Sequence, residues 1–121
     1  MKTDKIYIGD LAYRVEGSPF PLGAGYMASM IDHYFENSFE TTIFTDTSKL
    51  THAIKNAPPK IVALANYSWN SNLNSQVIKY SKEISKKIIF VLGGPSFAKN
   101  DKTWLKNFFQ KNEHLDFYIS G

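Results

Sequence analysis

Short apolar runs alternate with helix-like segments along the whole chain. Five of these runs have the length and the β-branched content of strands. They cover residues 5–11, 40–44, 61–65, 88–92 and 117–119. Between the first two runs, apolar residues recur at helical spacing, which predicts a helix over residues 26–35.

Three further helices are predicted from start signals and apolar spacing. Thr47 or Ser48 can cap a short helix after the second strand. Asn70 or Ser71 can begin a longer one after the third strand, and Asp101 opens the last. Every predicted helix therefore lies between two predicted strands.

This strict alternation predicts an α/β fold. Strands this apolar are typical of a parallel sheet covered by helices and joined by right-handed crossovers. We expect a Rossmann-like (flavodoxin-like), doubly wound, five-stranded parallel sheet in the order 2-1-3-4-5, forming one domain over residues 1–121. The expected core consists of Ile6, Ile8, Ile61, Val62, Leu64, Ile89, Val91 and Phe117.

Composition narrows the function classes. The chain has 121 residues, which suits one domain, and no cysteine, which excludes disulfides, thiolate zinc sites, iron–sulfur clusters and cysteine nucleophiles within this segment. No apolar stretch approaches the roughly 20 residues of a membrane span, and the first residues lack a signal-peptide core. We therefore expect a cytoplasmic protein that does not contact a membrane.

The net charge of +3 comes from scattered lysines, several of them within residues 79–87. Such a cluster can contact nucleic acid, but a solvated helix face is the favoured interpretation. The three histidines, His33, His52 and His114, show no spacing typical of a metal site or a catalytic triad. We therefore expect neither a nucleic-acid partner nor a metal ligand from this chain.

The segments that follow the strands carry the candidate ligand-binding residues, because ligands of open α/β sheets bind at the carboxyl ends of the strands. These segments are residues 10–13, 66–70, 93–96 and 120–121. Gly93 and Gly94 allow close approach to the backbone, and Pro95 suits the first turn of a following helix. Trp69 either binds a planar group or packs on the adjacent helix. The alternative interpretation of the two glycines is a tight turn that binds no ligand.

Two other function classes, a dinucleotide-binding protein and a phosphorelay receiver, fit the sequence less well. Residues 23–28 match the dinucleotide motif GxGxxA, and Asp46 stands where a ribose-binding acid is expected, but eleven residues separate Leu11 from Gly23. Small residues there more simply let the helix approach the sheet or a bulky ligand. A phosphorelay receiver is disfavoured as well, because Asn66 stands where its acceptor aspartate is needed.

Together these residues resemble the N-terminal cobalamin-binding domain of cobalamin-dependent radical S-adenosylmethionine enzymes. The matching stretches are residues 19–23, 61–70, 91–95 and 115–121, so the resemblance covers nearly the whole chain. It implies that Ser68, Gly93 and Gly94 line a slot for the nucleotide tail of cobalamin. Valine at position 94 is then expected to block the slot while leaving the fold intact.

The resemblance also implies the rest of the cofactor site. Tyr13, Trp69 and Asn70 would face the corrin ring. The implied cofactor-binding set is completed by Asp10, Ala12, Leu22, Gly23 and Pro95. Cobalamin mutases and methionine synthase have an Asp-x-His-x-x-Gly motif whose histidine binds cobalt, and Ala12 stands at that place here. The resemblance therefore implies base-off cobalamin without a protein histidine ligand.

A partner domain is implied too. A C-terminal radical domain in cis would hold the 4Fe-4S cluster and S-adenosylmethionine, and the whole protein would be a methyltransferase or cyclase. This segment would not be catalytic alone. The alternatives are a stand-alone nucleotide- or cofactor-binding regulatory domain of Rossmann-like fold and a small nucleotide-dependent enzyme.

Overall fold

The computed structural model describes residues 4–12, 22–36, 38–95 and 97–119. Strands and helices alternate through these ranges. The elements are β1 (Asp4–Ala12), α1 (Leu22–Phe35), β2 (Phe39–Asp46), α2 (Thr47–Asn56), β3 (Ile61–Ala65), α3 (Ser71–Ile84), β4 (Ile89–Gly93), α4 (Lys102–Lys111) and β5 (Phe117–Ile119). The five strands form one parallel sheet in the order β2-β1-β3-β4-β5, which confirms the predicted fold class and strand order.

Two helices begin at an aspartate. The Asp46 carboxylate accepts a hydrogen bond from the Ser48 N–H at 3.0 Å at the start of α2, and the Asp101 carboxylate accepts one from the Trp104 N–H at 3.0 Å at the start of α4. Asp101 was predicted, whereas the cap of α2 is Asp46 rather than Thr47 or Ser48. Asp46, which was considered as a ribose ligand, thus serves as the N-cap of α2.

One face of the sheet is covered by α2, α3 and α4. On β3 and β4 the buried residues alternate, with Val62, Leu64, Phe90 and Leu92 pointing to this face. They pack with Leu50 and Ile54 of α2, Val77 and Ile78 of α3, and Phe108 of α4. This cluster is the main core of the domain.

The opposite face is covered only in part. Helix α1 lies over β1 and β2, where Ala24 and Ala28 pack against Ile6 and Ile8. The small residues therefore do let α1 approach the sheet closely, as expected. In the ranges that the structure describes, no helix lies on this face over β3, β4 and β5, and the side chains of Phe117 and Ile119 are 60% and 63% exposed. We call this half of the sheet the open face; it consists of Ala63, Ala65, Ile89, Val91, Gly93, Phe117 and Ile119.

The expected core is right for Ile6, Ile8, Val62 and Leu64, which are buried. It is right only in part for three residues of the partly covered face, which are half-buried: Ile61, Ile89 and Val91. For Phe117 it is wrong, because its side chain points to the open face. Among the described residues, no helix is long and apolar enough to cross a membrane.

Candidate functional site

The carboxyl ends of the central strands meet at one edge, where the segments after them are joined by backbone contacts. The Asn66 N–H donates to the Gly93 carbonyl at 2.6 Å, which ties the end of β3 to the end of β4. The Tyr118 hydroxyl donates to the Gly94 carbonyl at 3.0 Å, which ties in β5. The predicted convergence of the strand-end segments after β3 and β4 is therefore real.

An aromatic pair projects from this edge. The rings of Tyr67 and Trp69 stack with their centroids 4.4 Å apart and their planes 6° from parallel. The Trp69 side chain is 63% exposed, and Ser68 between them is exposed as well. Such an exposed, stacked pair offers a flat apolar surface to a planar ligand. We call it the aromatic platform.

Asn70 differs from the expectation that it faces a ring. It is fully buried, and its side chain is occupied within the protein. Its amide nitrogen donates to the carbonyls of Leu11 and Ala65, both at 3.0 Å, and its oxygen accepts from the Tyr67 N–H at 2.7 Å. Asn70 therefore offers no amide to a ligand at this edge.

The two glycines of the Gly93-Gly94 pair have different roles. Gly94 has φ of +141°, and a Cβ placed on it would overlap the backbone oxygen of Asn66. Gly93 ends β4 on the open face, where a Cβ would meet only the Ile119 carbonyl, at an ordinary contact distance of 3.6 Å. Gly94 is thus required by the turn itself, and only Gly93 leaves space for something else.

Pro95 does not begin a helix. It lies in an exposed bend, and α4 begins only at Lys102. The prediction that Pro95 occupies the first helical turn is therefore wrong for the described chain. The turn is held instead by Tyr118, and burial raises the pKa of the Tyr118 hydroxyl, whereas the nearby Asn66 side chain acts in the opposite direction.

Asp10 brings a carboxylate to the same edge. It follows Ile6 and Ile8 at alternate positions of β1 and so points to the side of the sheet that α1 partly covers. Burial raises the pKa of this half-buried carboxyl above its ordinary value. Among the described residues, none makes a hydrogen bond to this carboxyl.

The remaining predicted site residues are only partly described. Ala12 is the last residue of β1 and pairs in register with Asp46 of β2. Leu22 and Gly23 are the first residues of α1. Tyr13 lies outside the described residues, as do residues 120–121.

The dinucleotide interpretation loses its structural basis. The motif must form the loop between a strand and its helix, but α1 already begins at Leu22, so residues 23–28 lie inside the helix. In the described part of the chain, no group of three acidic, histidine or cysteine side chains could hold a metal ion. His33, His52 and His114 are all exposed and lie on different elements.

Two surface depressions lie away from this edge. One of about 400 Å³ is formed near the amino end of β5 by charged side chains of both signs, among them Lys82 and Asp116. These two form an ion pair at 3.0 Å, and the same carboxylate accepts from the Phe90 N–H at 2.8 Å. Because Lys82 and Asp116 are already paired with each other, the strand-end edge remains the stronger candidate for a site.

Sequence reasoning missed the buried side chains that shape this edge. Asn66, Asn70 and Asn74 are all fully buried. The spacing of Asn70 and Asn74 was a usable signal, because a residue four positions after a helix start lies on the same helix face, here the buried face of α3 that carries Val77 and Ile78. Tyr67 was also missed as the partner of Trp69.

Two solved structures resemble this chain. A cobalamin-binding protein from Desulfitobacterium hafniense DCB-2 matches with a TM-score of 0.67 and 16% identity, over 96% of this chain and 52% of its own. The pilus assembly protein CpaE from Caulobacter crescentus CB15 matches with a TM-score of 0.61 and 12% identity, over 97% of this chain and 81% of its own. This chain thus spans about half the length of the cobalamin-binding protein. At such identities the likeness shows the fold alone.

Comparisons with models of protein families and with curated proteins found no match. The assignment of a function therefore depends on the geometry of the strand-end edge and of the open face.

Proposed function

We propose that this chain is a cobalamin-binding module that takes the nucleotide tail of the cofactor along its open face, base-off and without a protein histidine on cobalt. The observation that carries the proposal is the strip of small residues at the carboxyl end of the open face. Ala63, Ala65 and Gly93 form this strip, and a Cβ added to Gly93 would meet only the Ile119 carbonyl, at an ordinary contact distance of 3.6 Å. The fold that this chain shares with a cobalamin-binding protein supports the same function.

The strip has a wall on one side. Met27, Met30 and Tyr34 form an exposed apolar stripe on α1, with exposed fractions of 49%, 37% and 66%. Because the β1-α1-β2 crossover is right-handed, this stripe lies on the flank of α1 that faces β3. The stripe and the open face together form an apolar channel that begins at the strand-end edge.

The floor of the channel is wide enough for an aromatic base. Three strands about 4.8 Å apart make its floor roughly 10 Å wide, which accommodates an aromatic base lying flat between α1 and β5. Its floor carries no charged side chain, which suits the apolar base of the tail. Asp10 stands at the open end of the channel, where the polar part of a ligand would lie.

The aromatic platform is suited to contact the corrin ring of the cofactor. Trp69 and Ser68 project from the edge at which the channel opens, so a ring system above the channel would pass close to the indole. Stacking of the indole on a planar ring adds affinity beyond the area buried. Asn70 supports this platform from below rather than touching the ring.

No histidine of the described chain is placed to bind cobalt at this edge. His33 lies near the end of α1, which runs opposite to the strands, and His114 precedes β5, so both belong to the amino edge of the sheet. His52 lies within α2, on the other face of the sheet. Ala12 stands at the place of the ligating histidine in the cobalamin mutases. Bound cobalamin supplies a cobalt centre that can carry a methyl group, and this chain would leave the lower face of that centre without imidazole.

We further propose that the module belongs to a longer cytoplasmic polypeptide whose radical domain, in cis, holds a 4Fe-4S cluster and S-adenosylmethionine and acts as a methyltransferase or cyclase. The uncovered apolar face favours a further protein segment, because parallel sheets are normally covered on both faces. The reading frame of the gene tests this part: a CxxxCxxC motif encoded after Gly121 supports it. A stop codon directly after Gly121 contradicts it and favours a stand-alone regulatory domain.

Reconstitution tests the binding itself. The protein is incubated with hydroxocobalamin, desalted, and examined by absorption spectroscopy. We expect corrin bands that travel with the protein, with only moderate affinity because the channel is open to water on one side. A protein that is colourless after incubation with a large excess of hydroxocobalamin and desalting would contradict the proposal.

A further inference from the structure

Three fully buried asparagines are linked by hydrogen bonds at the turn that carries the aromatic platform. Asn66, Asn70 and Asn74 have no exposed surface. Burying an amide costs free energy unless its hydrogen bonds are replaced within the protein. A cluster of three therefore calls for an explanation in terms of what their hydrogen bonds hold together.

Asn70 holds three parts of the edge at once. Its amide nitrogen donates to Leu11 at the end of β1 and to Ala65 at the end of β3, and its oxygen accepts from the N–H of Tyr67. Asn74 adds a second bond to the Ala65 carbonyl at 3.1 Å and one to the Asn66 side chain at 3.0 Å. The turn that carries the platform is thus fastened to both central strands.

The position of Asn70 makes this arrangement informative. Asn70 precedes α3 at the N-cap, where an asparagine side chain ordinarily accepts a hydrogen bond from the first turn of its helix. Here the side chain makes no such bond. Its side chain bonds to β1, β3 and Tyr67, and its one bond to α3 is accepted from the Asn74 side chain at 3.3 Å rather than from a backbone N–H of the first turn. Its role therefore lies in the geometry of the turn rather than in starting the helix.

We propose that Asn70 is the positioning residue of the ligand site: it holds the stacked Tyr67–Trp69 platform in place before a ligand arrives. A platform ordered in advance costs less free energy to use on binding than one that the ligand must order. The identity of the ligand rests on the proposed cobalamin function, whereas the ordering of the platform does not.

The test compares Asn70→Ala with Asn112→Ala. Asn112 is a matched control, because it is also a buried asparagine whose side chain bonds to a backbone carbonyl, that of Phe108, but it links α3 to α4 away from the platform. Both variants are made with Trp104→Phe, so that Trp69 is the single remaining tryptophan. The readouts are the near-ultraviolet circular dichroism of the Tyr67–Trp69 pair without ligand and the affinity for hydroxocobalamin.

We expect both variants to lower the unfolding midpoint, but only Asn70→Ala to lose the dichroism of the stacked pair and to bind hydroxocobalamin at least about tenfold more weakly. Trp69→Ala should weaken binding similarly while leaving the midpoint nearly unchanged. If Asn70→Ala does not fold, Asn70→Asp and Asn112→Asp are compared by the same two readouts.

Two results would overturn the inference. One is an Asn70 variant that keeps both the dichroism and the affinity; the other is an equal loss in the Asn112 control, which would show general destabilisation. If the unaltered protein binds no hydroxocobalamin, the proposed function fails, and the dichroism of the ligand-free variants still decides whether Asn70 positions the platform.

Discussion

The backbone oxygen of Asn66 lies where the side chain of any residue other than glycine at position 94 would begin. With a φ of +141°, position 94 also has a backbone conformation that other residues rarely adopt. The sequence expectation that valine at 94 would leave the fold intact is therefore wrong. Gly94 is required by the turn, whereas Gly93 lies where the proposed channel opens.

We accordingly expect Gly94→Val to lower the free energy of unfolding by about 3 kcal/mol or more, since it adds a clash with backbone to a strained conformation. Urea denaturation followed by far-ultraviolet circular dichroism measures this. Gly93→Val is the adjacent control and should change the free energy by less than about 1 kcal/mol, because a β-branched residue suits a strand and its Cβ has space. Equal losses at both positions would contradict the assignment of the two glycines.

The coverage of the sheet gives a second prediction. Phe90 is fully buried beneath α2, α3 and α4, whereas Phe117 is 60% exposed on the open face. Phe90→Ala should therefore lower the free energy of unfolding by about 3–5 kcal/mol, and Phe117→Ala by well under half of that. Both values come from urea denaturation, and a larger loss at Phe117 would mean that the open face is covered in solution.

The sequence predicted the strands better than the surroundings of their side chains. The bounds of β3 and β5 were predicted to the residue, because short β-branched or aromatic runs bounded by polar residues define them. Phe117 was nevertheless placed in the core, since an apolar run does not reveal which face of a strand another element covers. The prediction failed because the burial of a side chain depends on how the elements pack on one another in the folded protein.

Asn70 illustrates the same limit at the site. A polar residue after a buried strand suggests ligand binding, but its actual partner, the Leu11 carbonyl, is 59 positions away in the sequence. Only the fold brings the two together. Trp69, by contrast, was located correctly at the mouth of β3, because an indole at a strand end needs no distant partner to be noticed.

The half-buried carboxyl of Asp10 predicts a dependence of stability on pH. Burial raises its pKa, so the folded protein holds this proton more tightly than the unfolded chain, and stability is lost as the pH rises through the folded-state pKa. Asp10→Asn should therefore raise the melting temperature at pH 7 relative to the unaltered protein, and this gain should vanish at pH 3. The exposed Asp32 gives the control Asp32→Asn, which should show no such pH-dependent gain.

The cobalt ligand gives a spectroscopic prediction. Because Ala12 replaces the ligating histidine, electron paramagnetic resonance of the cobalt(II) form should lack the triplet superhyperfine splitting that one nitrogen ligand produces. Ala12→His is expected to introduce that splitting. A clear splitting in the unaltered protein would show that another histidine or the cofactor's own base reaches the metal, and the placement of the tail in the channel would then be wrong.

The most direct test of the central claim is the affinity for hydroxocobalamin of Gly93→Val compared with Gly25→Val. Both variants add the same side chain without a clash of its Cβ. Gly93 lies on the floor of the channel, where the added Cβ meets only the Ile119 carbonyl at 3.6 Å, and Gly25 lies on α1, with nothing within 4 Å of its added Cβ. An equilibrium titration followed by absorption should show binding weakened at least about tenfold in Gly93→Val and unchanged in Gly25→Val. Equal affinity in Gly93→Val and the unaltered protein, with the fold intact, would contradict the claim that the cofactor tail lies on the open face.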